Sequence, residues 1–120
     1  MNKEVSKQAN KPPASVMLDG AAIRDEADFH AASRAAFGFN DHVAPTMDSW
    51  IDALSYLRDD EGMTKFRLKP NDVLEVVIAN AAALKAAAPD LLEEITFCIG
   101  GINERYEDYG EKPALKLVLK

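Results

Sequence analysis

The nine residues "DVLEVVIAN" at 72–80 constrain the fold of this chain more than any other stretch. They are rich in β-branched side chains and too apolar for a strand with one face in water. They therefore predict the central strand of a sheet covered by helices. On either side the hydrophobic spacing lengthens to that of helices. "SVMLDG" at 15–20 reads as a short strand closed by an Asp-Gly turn. "IRDEADFHAASRAAF" follows, with Asp25 placed as an N-cap and Ile23, Phe29, Ala32, Ala36 and Phe37 recurring at helical intervals.

The loop "GFNDHVAPT", 38–46, carries Gly, Asn and Pro, and Thr46 can cap a second helix predicted to run to about Arg58, where "DDEG" ends it. After the central strand, "AAALKAAA" gives a short helix. Pro89 disfavours helical geometry at Ala88 and suits the first turn of a new helix running to Tyr109, with Gly110 as its stop. Gly100 and Gly101 inside it cost roughly 1 kcal/mol each relative to Ala, so either the helix bends there or another backbone packs close. "LKLVLK" closes the chain as an edge strand, with Lys112, Lys116 and Lys120 discouraging pairing with another chain.

The order is strand, two helices, strand, two helices, strand. Long helical crossovers favour parallel pairing, so the fold class expected is α/β, a small three-stranded parallel sheet packed with about four helices. The first 14 residues are polar, lack the apolar core of a secretory signal and read as a disordered tail, leaving residues 15–120 as one domain. No run approaches the roughly 18 apolar residues of a membrane span. A cytoplasmic protein is expected.

Charge narrows the partners. A net charge of −6 argues against a surface that neutralises nucleic-acid phosphates or anionic lipid, and favours a basic protein partner. The single cysteine, Cys98, has no internal disulfide partner, and His30 and His42 lie far from it, so no metal-ligand spacing exists and no cofactor is expected. Cys98 falls on the apolar stripe Leu91, Leu92, Ile95, Ile99 and Ile102, which suits a buried small hydrophobe and not a nucleophile. His30 reads as a helix-face or capping histidine.

One feature of the second helix resists a purely structural account. Met47, Trp50, Ile51, Leu54 and Leu57 form its apolar stripe, leaving Asp48, Asp52, Ser55 and Asp59 on the other face. Asp48 suits the positive end of the helix dipole. Asp52 lies deeper and adds like-charge repulsion at i, i+4, and no Lys or Arg stands three or four residues from either carboxylate. The exposed pair has no asymmetry of environment from which acid–base catalysis could be built, so an enzyme is not expected.

At these residues the chain resembles the barstar family, intracellular inhibitors of secreted ribonucleases of the barnase type. The likeness runs without a gap over "IRDEADFHAASRAAFGFNDHVAPTMDSWIDAL", and rests on the Asp-Gly turn, Asp28 and His30 on the first helix and "MDxxxDxL" on the second. The resemblance implies a non-catalytic protein whose acidic helix and preceding loop plug a ribonuclease active site. Carried onto this sequence, the partner-binding residues are Asp41, His42, Val43 and Thr46 in the loop and Asp48, Ser49, Asp52 and Tyr56 on the helix. His42 is open between contact residue and loop filler.

The chain departs from the family pattern in several places. His42, Val43, Ala44 and Thr46 stand where the prototype's loop has paired tyrosines, a glycine and an asparagine. Ile51 replaces a tryptophan, Tyr56 a glycine and Arg105 a glutamate of the last helix. The alternative function is a non-inhibitory interaction domain that keeps the fold and offers its acidic face to another basic protein.

Overall fold

A computed structural model describes residues 14–120. The tail expected over 1–14 lies outside that range except for Ala14, the first residue of strand β1 (Ala14–Asp19). Strands β2 (Leu74–Ala79) and β3 (Leu115–Leu119) complete a three-stranded parallel sheet with β2 in the centre. Four helices occupy the crossovers: α1 (Glu26–Phe37) and α2 (Met47–Leu54) between β1 and β2, α3 (Ala81–Ala87) and α4 (Pro89–Asp108) between β2 and β3. Fold class and element order are those expected.

The cover on β2 differs from expectation. Leu74, Val76 and Ile78 enter the main core with Val16, Leu18 and Leu115, against Phe29, Trp50 and Ile95 from the helices. Val77 points to the opposite face and stands outside that core, although it is 6% exposed. The register places it between Met17 and Val118. The helical core thus takes in one face of the sheet, and side chains of the flanking strands narrow water's access to the centre of the other.

Local signals set the element ends. The Asp25 carboxylate accepts the Asp28 N–H at 2.9 Å and starts α1, and Gly38, at φ +66°, ends it. At the Asp-Gly turn a Cβ on Gly20 would lie 2.7 Å from the carbonyl oxygens of Ala79 and Asn80, so only glycine lets the chain pass the end of β2. Asp19 accepts hydrogen bonds from the Asn80 side chain and the Ala21 N–H, which hold its carboxyl below the ordinary range.

Helix α2 ends at Leu54 and not near Arg58. The Tyr106 hydroxyl, reaching in from α4, donates to the Leu54 carbonyl and accepts the Leu57 N–H, each at 2.9 Å. Those two groups are the ones a continuing helix would have paired along its own backbone. Helix α4 runs unbroken through Gly100 and Gly101, and beyond the helix's own neighbouring backbone no atom lies within 4 Å of either Cβ position. Close packing of another backbone therefore does not account for them.

Candidate partner-binding site

Helix α2 is short, and its stability comes from what it buries. The Thr46 hydroxyl accepts the Ser49 N–H at 3.2 Å and caps its start. Met47, Trp50, Ala53 and Leu54 are buried, with Ile51 half-buried against the same core. Trp50 packs beside Phe29 and Phe37, with ring centroids 5.3 and 6.2 Å away, and its indole N–H donates to Ser33 Oγ at 3.2 Å. With Trp50 locked onto α1 and Tyr106 closing the far end, the opposite face is rigidly presented. That face carries Asp48 and Asp52, both exposed, with Ser49 half-buried beside them.

The preceding loop is held from α1. Arg34 donates to the carbonyl of Asn40 at 3.1 Å and to that of Val43, while Asn40 Oδ1 accepts the His42 N–H at 2.9 Å. The resulting turn rotates Val43 inward, leaving it 3% exposed. Val43, expected among the partner-facing residues, is instead a buried anchor of the loop. Asp41, His42 and Thr46 remain exposed.

Asp52 also has a partner that the local sequence does not reveal. Arg105, from α4, places Nη1 3.2 Å from Asp52 Oδ1 and 3.1 Å from Ser55 Oγ. The two charged side chains are 49% and 60% exposed. Among the described residues no cation forms an ion pair with Asp48.

The family model described as Barstar (barnase inhibitor) matches residues 14–118. The chain belongs to the barstar family. The match runs from the first residue of β1 to the penultimate residue of β3, and so takes in the loop, α2 and all of the sheet but Leu119. No curated protein matches the chain significantly.

In this barstar-family domain the remaining candidates occupy different surroundings. Tyr56 is exposed beyond the end of α2, on a cleft of about 490 Å³ between the α2 end and α4 that also exposes Arg105. Arg58 at its base is spent elsewhere. Its guanidinium lies 5.1 Å from the Tyr106 ring centroid, pairs with Glu111 at 3.1 Å and donates to the carbonyls of Lys112 and Asp72. His30 is a buried helix-face residue, not a cap, with Nε2 3.3 Å from Glu26 and its ring edge-on to Phe29. Cys98 is buried, and desolvation, followed by the charge of Glu94, pushes its thiol pKa up.

Sequence reasoning missed Arg34 and Tyr106 as the residues that position the barstar loop and helix. It singled out Arg105 only as a departure from the family pattern. Each acts on a group at least six positions away, so no short-range spacing announces it. Among the described residues no cluster of three metal-ligating side chains exists and no helix is long and apolar enough to cross a membrane.

Proposed function

We propose that this barstar-family chain inhibits a ribonuclease inside the cell by seating the exposed face of α2, with the preceding loop, in the enzyme's active site. One observation carries the reading: Asp48 and Asp52 stand one turn apart and exposed on a helix whose other face is buried in the core. A ribonuclease grips the RNA backbone with Arg, Lys and His. Carboxylates held rigidly where phosphates sit replace the substrate's contacts with charge-assisted hydrogen bonds. The repulsion between the two aspartates is then relieved by the cationic pocket that closes over them. A net charge of −6 favours encounter with such a partner, and the inhibitor itself catalyses nothing.

The test is RNA degradation by barnase, and by any ribonuclease captured from the native cell, with and without the chain. Wild type suppresses turnover at near-equimolar ratio. Asp52→Ala loses about 2–5 kcal/mol of binding, mainly as faster dissociation, a range established partly on barnase and barstar themselves. Asp52→Ala inhibiting as well as wild type while folded would overturn the assignment of the acidic face. A second reading, the non-inhibitory interaction domain, draws support from the inward turn of Val43 and the pairing of Asp52 with Arg105, which leave the surface smaller and less acidic. Capture of a basic partner without nuclease activity favours that reading.

A further inference from the structure

We infer that Arg105 sets the partner specificity of the acidic face by competing, from within the molecule, for Asp52. The inference rests on the inhibitor reading above. Arg105 Nη1 contacts both Asp52 Oδ1, at 3.2 Å, and Ser55 Oγ, at 3.1 Å, so the guanidinium is drawn across onto α2. In the free protein it occupies the position that a partner's cation must take.

Two features make the pair exchangeable. It is about half exposed on both sides, and surface pairs of that kind are weak. The displaced guanidinium also has a destination, because Asp59 and Asp108 are among the residues that line the adjoining cleft. Arg58 cannot substitute, since its side chain is 7% exposed and its Nη1 and Nη2 serve Glu111, Lys112 and Asp72. Arg105 is therefore the cation that moves.

The consequence is selection by charge. A partner must bring a cation able to take Asp52 from Arg105, and must not carry a second cation facing the guanidinium once it is released, where like charges repel. The structure thus fits a ribonuclease with a cationic pocket and a neutral or acidic rim beside it. Enzymes with a uniformly basic rim are disfavoured.

Barnase serves as the probe. Association and dissociation rates are measured across a salt series for wild type, Arg105→Ala, Arg105→Glu, Asp52→Ala and the Asp52→Ala/Arg105→Ala double variant, with thermal melts to verify folding. Arg105→Ala is expected to bind up to about fivefold tighter, equivalent to about 1 kcal/mol. Arg105→Glu gains roughly tenfold or more, with faster association at low salt. In the Asp52→Ala background most of the Arg105→Ala gain disappears, because nothing is left to compete for. If neither Arg105 variant binds more tightly while Asp52→Ala binds more weakly, the competition is refuted and the inhibitor reading stands. If Asp52→Ala is neutral as well, or no variant binds barnase or a ribonuclease captured from the native cell, that reading falls and the inference falls with it.

Discussion

The hydroxyl of Tyr106 accepts the backbone N–H of Leu57 at 2.9 Å across 49 residues of sequence, and donates to the Leu54 carbonyl at the same distance. One buried side chain thereby ends α2 and ties it to α4. The orientation of the acidic face follows from this contact as much as from the helix's own capping. Tyr106→Phe keeps the ring packing but leaves two buried backbone groups without a partner. A loss of about 1–3 kcal/mol is expected, read as a lower urea midpoint. A midpoint equal to wild type would mean that water or the local backbone satisfies both groups.

The same residue predicts an alkaline weakness. Burial pushes the Tyr106 pKa above its ordinary value of 10.0, against the smaller lowering effects of the Leu57 hydrogen bond and Arg58. A raised folded-state pKa means the folded chain holds the proton more tightly than the unfolded one. Its contribution to stability is therefore fully present below the unfolded tyrosine pKa and is lost as pH rises through the folded value. Urea midpoints measured between about pH 9 and pH 11 should fall more steeply for wild type than for Tyr106→Phe. Parallel slopes would show that other groups govern the alkaline loss.

Glycines at two places should respond in opposite directions. Gly100 and Gly101 sit mid-helix with open space at the Cβ position, so alanine at either should stabilise the chain by roughly 0.5–1 kcal/mol. At Gly20 the added methyl meets two carbonyl oxygens at 2.7 Å. Gly20→Ala should lower the melting temperature clearly, because the turn after β1 must move off the end of β2. Thermal melts of the three variants decide the matter, and a stabilised Gly20→Ala would contradict the packing described.

Asp52→Ala should leave the fold nearly untouched. It removes an i, i+4 repulsion with Asp48 worth a few tenths of a kcal/mol and an exposed pair with Arg105 of similar size, so the two changes offset. Stability within about 0.5 kcal/mol of wild type is expected. A larger loss would mark Asp52 as a structural residue and weaken any functional reading of a binding defect in that variant.

The sequence by itself determined the architecture, because each element is announced within a few residues of where it forms. The apolar run 74–79, the caps at Asp25 and Thr46, Pro89 and Gly110 act through their own backbone or that of near neighbours, and hydrophobic spacing assigns the buried faces. Asp48 and Asp52 were legible as an exposed pair for the same reason. Tertiary structure alone decided what surrounds them. The inward turn of Val43 depends on Arg34, the early end of α2 on Tyr106, and the cation on Asp52 on Arg105. The Tyr106 and Arg105 contacts exist only once the sheet has brought α2 and α4 together, and the Arg34 contact only once the loop has folded back onto α1. Periodicity records which face a residue occupies, and it carries no information about which distant side chain arrives to meet it.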